Sequence, residues 1–238
     1  MARIIALIKK EILSILNSPI IYIVTIGFVV VNSWLYFENF FVAEQATLRT
    51  YFAFFPWILL FLIPAISMRV WAEEKKSGTI EFLLTTATKD WEAVIAKYLS
   101  TLILILFILI CTLPVPLSVA AIGNVDGGQI VTNYIAAFLL AASMVAIGQW
   151  LSSLSKNQIV SFIITLLVLF ALMMIGLPYL LASTKGILTE GMRFLSTQTH
   201  FLNMSKGVID IRDVTYFISI IVLFLFLNVF SLQSRHWK

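Results

Sequence analysis

The sequence predicts an all-α integral membrane protein with six transmembrane helices. Of its 238 residues, 61% are hydrophobic and 12% are charged, whereas a soluble domain carries about 25% charged residues. Six intervals of at least 19 residues lack Asp, Glu, Lys and Arg, and a helix needs roughly 20 apolar residues to span the hydrocarbon layer. The intervals are continuously apolar rather than alternating, which indicates helices. They are Ile12–Phe37, Thr50–Met68, Tyr98–Val125, Gly127–Ser155, Asn157–Thr184 and Val214–Ser234.

Two parts of the chain follow from this pattern: an interfacial helix over residues 1–18, and a transmembrane domain over residues 19–238. Before Pro19, apolar and polar positions fall on opposite faces of a 3.6-residue period, as in an amphipathic helix lying on the membrane. A signal peptide is the competing interpretation, but no small-x-small cleavage site follows at a suitable place. We expect spans at about residues 19–37, 51–70, 97–123, 130–153, 158–182 and 214–233.

The Lys and Arg residues predict the orientation of the spans. If the N-terminus is cytosolic, 11 of these residues lie inside and 5 outside, which is the bias of cytoplasmic loops. We therefore expect a multi-pass protein of the cytoplasmic membrane with both termini in the cytosol. The net charge of +4 is small and indicates membrane-flanking residues rather than a nucleic-acid surface.

The predicted spans carry no ionisable residue at their centres, which argues against a proton-coupled transporter or an intramembrane aspartyl protease. There is no HExxH motif and no P-loop motif, so we expect neither enzymatic activity nor a nucleotide or metal site in the chain itself. His200 and His236 are interpreted as solvated or interfacial residues, because no second metal ligand lies nearby. Cys111, the single cysteine, is interpreted as a small buried apolar residue.

Small residues and helix breakers mark three spans. Small residues that permit close helix packing recur in the fourth span at Ala137, Ala141, Ala142, Ala146 and Gly148. Ordinary alanine usage explains them equally well. Pro114 and Pro116 are expected to kink the third span, and Gly176 and Pro178 the fifth.

The charged stretch from Trp71 to Glu92 holds eight of the 28 charged residues. Within it, Ser77 or Thr79 is expected to cap a short helix over Ile80–Thr85, and Gly78 allows a sharp entry. The apolar side chains of that helix are Ile80, Phe82, Leu83 and Leu84. Lipid headgroups or a groove on a soluble partner would bury them.

On the other side of the membrane, Ser183–Asp213 is expected to form one or two short helices that cap the pathway. An irregular loop is the alternative.

The stretch from Glu73 to Thr85, preceded by Arg69 and followed by Trp91 through Tyr98, resembles the signature of type-2 ABC exporter permeases. A second stretch, His200–Phe201 and Ser205–Val214, also agrees with this family. Within the family, the chain most resembles the permease associated with gliding motility. In second place it resembles the permease serving copper-site maturation in nitrous oxide reductase. Pro64–Arg69 and Asn157–Val160 agree with the family. One departure is Ala87, where the family usually has proline.

The resemblance implies a half-transporter that moves a substrate outward with ATP and Mg bound by a dimer of separate ABC ATPase subunits. The amphipathic helix would be the elbow and Gly78–Thr85 the coupling helix, and a second permease, identical or related, would complete a dimer. The alternative is a subunit that transmits ATP-driven motion to a periplasmic or motility machine without solute transport. The residues expected to dock the ATPase are Glu73, Glu74, Gly78, Thr79, Ile80, Glu81, Phe82, Leu83, Leu84 and Thr85. Those expected in an outer gate are Gly191, Phe194, His200, Gly207, Asp210, Arg212 and Asp213.

Overall fold

The structure is a computed structural model that describes residues 2–43, 48–79, 89–123, 126–183 and 186–234. Every regular element within these ranges is a helix. In chain order they are α1 Ala2–Leu16, α2 Pro19–Ala43, α3 Arg49–Ala53, α4 Phe55–Ser67, α5 Arg69–Ser77, α6 Asp90–Cys111, α7 Pro114–Ile122, α8 Gly127–Leu154, α9 Gln158–Met174, α10 Pro178–Ser183, α11 Ile187–Leu195, α12 Thr197–Met204 and α13 Ile211–Gln233.

Five helical segments of the described chain are long and apolar enough to span a membrane: Ile21–Glu38, Arg49–Ser77, Asp90–Ile122, Gly127–Leu154 and Ile211–Gln233. The chain is therefore a multi-pass membrane protein. The remaining predicted span corresponds to α9, which is apolar but has only 17 residues. This length lies at the lower limit for a membrane-spanning helix, roughly 17–25 residues, so the count of six spans stays a prediction.

Helix α8 is the centre of the bundle, packing against α4, α5, α6, α9, α12 and α13. The small residues predicted to allow close packing are all buried within it. At Gly148 the approach is closest, because an added Cβ would lie 2.3 Å from Ser67 Oγ of α4 and 3.2 Å from Thr165 Cγ2 of α9. Glycine therefore brings three helices together at this level.

The predicted kinks occur where the sequence places helix breakers. The third span is interrupted between Cys111 and Pro114, and the fifth between Met174 and Pro178. In the second break, an added Cβ at Gly176 would lie 1.8 Å from Ser196 Oγ. This glycine thus allows the N-terminus of α12 to pack directly on the end of α9.

The two ends of the bundle carry different features, and we name them after their helices. At the α1 end lie α1, the C-termini of α5 and α8, and the N-terminus of α6, which share the polar contacts described below. At the α12 end, the Tyr51 hydroxyl donates to the Thr112 carbonyl at 3.0 Å, and the Thr112 and Tyr134 hydroxyls lie 2.9 Å apart. The rings of Tyr51, Phe52, Phe55 and Tyr134 pack edge to face beside them, which closes the core at this end.

Candidate functional site

The predicted docking segment begins at the end of α5. Gly78 has a φ of 73° and terminates this helix in the left-handed conformation, which agrees with the sharp turn expected there. Ser77 is the last residue of α5, and its hydroxyl donates to the Glu73 carbonyl at 2.9 Å. Ser77 therefore closes α5 instead of opening the next helix. The predicted coupling helix, Ile80–Thr85, lies outside the described residues, and the structure resumes at Lys89.

The chain after this segment enters α6 through the predicted acidic first turn. Asp90 and Glu92 lie in that turn, where negative charge is favourable at a helix N-terminus. Glu92 Oε2 accepts a hydrogen bond from the backbone N–H of Lys89 at 3.1 Å. The segment between Gly78 and Lys89 is thus connected to two helices, α5 and α6, whose ends lie at the same end of the bundle.

A buried lysine joins these two helices to α1. Lys97 Nζ lies 2.7 Å from Glu74 Oε1 of α5 and 3.2 Å from Glu11 Oε1 of α1. The same ammonium lies 5.1 Å from the centroid of the Trp71 ring, within the range of a cation–π interaction. Lys97 is 4% exposed, so its charge is removed from water and compensated by two carboxylates. We call Glu11, Trp71, Glu74 and Lys97 the Lys97 network.

Further polar contacts connect α5 and α6 to the C-terminal part of α8. The Ser152 hydroxyl accepts from the backbone N–H groups of Trp71 and Ala72, each at 3.2 Å. Lys75 donates to the backbone carbonyl of Ser153. The Gln149 side chain donates to the Val94 carbonyl of α6 at 3.1 Å. These bonds lie among buried residues, where polar groups are costly to leave unpaired, so they hold the three helices together.

The contacts at the α1 end join four helices. No group of three or more potential metal ligands occurs among the described residues. The two helices on either side of the predicted docking segment, α5 and α6, are fixed to α1 and α8 by buried ionic and hydrogen-bonded contacts. A displacement of the segment would therefore move α1, α5, α6 and α8 together.

The predicted outer gate contains two short helices, α11 and α12, as expected for Ser183–Asp213. Three predicted gate residues meet there. His200 Nδ1 lies 2.6 Å from Asp213 Oδ1 of α13, and His200 Nε2 lies 3.1 Å from the Phe194 carbonyl. The imidazole also stacks on the Tyr216 ring at 3.8 Å. These contacts attach α11 and α12 to the start of α13.

The interpretation of His200 as a solvated residue is wrong, and the alternative of an interfacial residue stays a prediction. His200 is 9% exposed, and its carboxylate partner Asp213 is 4% exposed. Both ring nitrogens face oxygen atoms, one of the Asp213 carboxylate and one of the Phe194 carbonyl. The sequence did not indicate this, because it predicted one or two short helices in Ser183–Asp213 but not how they pack against the last span.

The other predicted gate residues have local roles. The carboxylate of Asp210 accepts from the Arg212 backbone N–H at 2.9 Å and caps α13. Gly207 has a φ of 94° in the turn after α12. Gly191 lies in α11 with open space around it, and the Arg212 side chain is exposed. These four residues are not brought into one cluster with His200.

Sequence analysis did not single out the residues of the Lys97 network other than Glu74. Glu11 was hidden in the amphipathic pattern, although it lies on a half-buried stripe with Leu7 and Ile15 at i, i+4 spacing. Lys97 was counted only as an inward-side charge. Lys97 lies two turns inside α6, and a lysine at that depth in a span needs a partner. This position is the sequence feature that could have indicated the network.

The comparisons with known proteins agree with this architecture. Residues 3–232 match the family described as ABC-2 family transporter protein. None of the curated proteins compared with the chain matches it. Since the family match covers nearly the whole sequence, the chain belongs to the ABC-2 family of transporter membrane proteins. It is the membrane component of a transporter of this family, whose members work with an ABC ATPase.

Proposed function

We propose that the chain is the permease subunit of an ABC exporter, moving a substrate across the cytoplasmic membrane with ATP hydrolysed by separate subunits. It contributes no nucleotide site or catalytic residue of its own, and two permeases pair on an ATPase dimer. The resemblance of His200–Phe201 and Ser205–Val214 supports a relationship to the gliding-motility subgroup. Helix α1 acts as the elbow, and Gly78–Thr85 acts as the coupling segment.

The observation that supports this mechanism most strongly is the set of buried connections at the α1 end. When the ATPase dimer closes on ATP, it displaces the segment between Gly78 and Lys89. The Lys97 network passes that displacement to α1, while Ser152 and Ser153 pass it to α8. Because α8 contacts most of the other helices, the bundle responds as packed rigid bodies rather than by local bending.

Docking of the ATPase is expected to depend on Phe82. Burying a Phe side chain contributes roughly 1.5–3 kcal/mol, and each 1.4 kcal/mol is about a factor of ten in affinity. Phe82→Ala should therefore weaken the permease–ATPase complex by about tenfold or more, measured with purified proteins in detergent or nanodiscs. Glu81→Lys should weaken it as well, because it reverses a charge that we expect to face a basic residue of the ATPase.

Matched controls lie at the opposite end of the bundle. Phe194 is 66% exposed, and Glu190 is an exposed residue of α11, so Phe194→Ala and Glu190→Lys should leave docking unchanged. Normal affinity and ATPase activity in the Phe82→Ala, Glu81→Lys double variant would remove this segment from the mechanism.

The proposed orientation places the α1 end in the cytosol. In a Cys111→Ala background, single cysteines can replace Lys156, exposed between α8 and α9, and Arg193, exposed on α11. A membrane-impermeant thiol reagent applied to intact cells should label position 193 and leave position 156 unlabelled until the cells are opened. The reverse pattern would invert the topology and with it the site of ATPase docking.

A further inference from the structure

A cleft of about 400 Å³ opens at the α1 end, between α1, α2, α4, α5 and α6. This volume falls within the usual range for ligand pockets, roughly 300–1,000 Å³. None of the connections described above requires an open space here. The cleft therefore needs an explanation of its own.

The cleft has an apolar part and a charged part. Ile21 and Val24 of α2 and Leu104 of α6 line it at the level of the spans, together with Ile66 of α4. Lys10, Arg69, Glu73 and Glu74 line it toward the end of the bundle. An occupant that matches both parts has an apolar chain and a headgroup that lies at the membrane surface.

Two polar atoms of the lining residues lack partners. Arg69 Nε is buried without a hydrogen bond among the described residues, and so is Glu74 Oε2. The other oxygen of Glu74 is already bound to Lys97, and among the described residues the Arg69 guanidinium makes one long contact, 3.4 Å from NH1 to Ser18 Oγ. The two unpaired atoms are themselves closed off from the open space, so an occupant meets the other N–H groups of Arg69, the exposed side chains of Lys10 and Glu73, and the apolar wall. Basic and acidic side chains around the same cleft favour a ligand that carries both an anion and a cation.

We propose that the cleft binds a zwitterionic glycerophospholipid with a primary amine, such as phosphatidylethanolamine, from the leaflet at the α1 end. Its phosphodiester accepts from Arg69, with Lys10 adding positive charge. Its ammonium donates to the exposed carboxylate of Glu73 and lies near the negative charge of Glu74. An acyl chain follows the apolar wall toward Val24 and Leu104. The proposal rests on the lining of the cleft and not on the proposed function.

The headgroup chemistry distinguishes the candidate lipids. Phosphatidylglycerol supplies the phosphate but leaves the carboxylates facing an uncharged alcohol. Phosphatidylcholine has a quaternary ammonium, which cannot donate a hydrogen bond to Glu73. We therefore expect the order phosphatidylethanolamine, then phosphatidylcholine, then phosphatidylglycerol in affinity.

Native mass spectrometry of the delipidated full-length chain, titrated with each of these three lipids, tests the proposal. One phosphatidylethanolamine per chain should bind at least tenfold more tightly than phosphatidylglycerol. Arg69→Gln should weaken this binding by about tenfold, while Arg212→Gln, at the exposed opposite end, should not. Val24→Trp keeps every charge but fills the apolar part, and should abolish binding.

A competition experiment with the wild-type chain distinguishes binding of the whole lipid from binding of its headgroup alone. Glycerophosphoethanolamine, which lacks acyl chains, should displace the lipid only at concentrations at least a hundredfold higher. Equal competition would show a site for soluble phosphate compounds and overturn the proposal. Binding of all three lipids with the same affinity, or unchanged binding in both Arg69→Gln and Val24→Trp, would overturn it as well.

Discussion

Replacing Lys97 with methionine is expected to destabilise the protein by about 3–5 kcal/mol, the usual effect of removing one partner from a buried ionic group. The substitution leaves Glu11 and Glu74 close together without their shared cation, and it removes the link between α1, α5 and α6. Thermal unfolding in detergent should report the loss of stability. The rate of ATP hydrolysis by the assembled complex should no longer depend on the conformation of the permease.

The control for this variant is Lys76→Met, because Lys76 belongs to the same charged stretch but is exposed. It should change stability by less than about 0.5 kcal/mol, as surface substitutions usually do. Adding Glu11→Gln and Glu74→Gln to Lys97→Met should restore much of the stability, since the uncompensated carboxylates are then gone. If ATP hydrolysis in the Lys97→Met complex still depends on the conformation of the permease, the Lys97 network has no part in transmitting motion between the ATPase and the permease.

Gly148→Ala is expected to destabilise the bundle by about 1–3 kcal/mol, the typical effect of overpacking a core. The new Cβ would lie 2.3 Å from Ser67 Oγ and 2.8 Å from Ser67 Cβ, so α4 and α8 must move apart. Thermal unfolding again provides the measurement. The same substitution at Gly27, which has no atom within 4 Å of the added Cβ, should be neutral or slightly stabilising, because alanine favours the helix.

Ser67→Gly removes the two atoms closest to the new methyl group and leaves only Thr165 Cγ2 at 3.2 Å, so it should restore much of the stability in the Gly148→Ala background. A double-mutant cycle gives the coupling energy between the two positions. Independent, additive effects of the two substitutions would mean that the close approach of α4 and α8 at Gly148 does not limit stability.

Charge-free runs were enough to predict an all-helical membrane protein, because only helices satisfy their own backbone in lipid over such lengths. The breaks at Pro114 and near Gly176 were also predictable, since these residues act locally. What the runs do not reveal is which face of each helix is buried. Leu, Ile and Phe suit lipid and protein equally well, so the central position of α8 was indicated only by small residues that ordinary alanine usage explained equally well.

The functional contacts were harder to predict for a different reason. Lys97 and Glu11 are 86 residues apart in sequence, and their pairing depends on α1 packing along α6. His200 and Asp213 are closer in sequence, yet the pair forms only because α12 folds back onto α13. Local signals such as Gly78 and Asp90 were correctly interpreted, because turns and first-turn charges depend on neighbouring residues alone.

The position of α8 has a consequence for how the protein is made. Its partners α4, α5 and α6 precede it in the chain, but α13, which packs along it extensively, follows it. Ser153 of α8 lies 3.1 Å from Ser231 of α13. During biogenesis, α8 therefore has one face without its partner until α13 has been made and inserted. A nascent chain that ends before Ile211 exposes that face, which gives membrane quality control a direct way to recognise an unfinished permease.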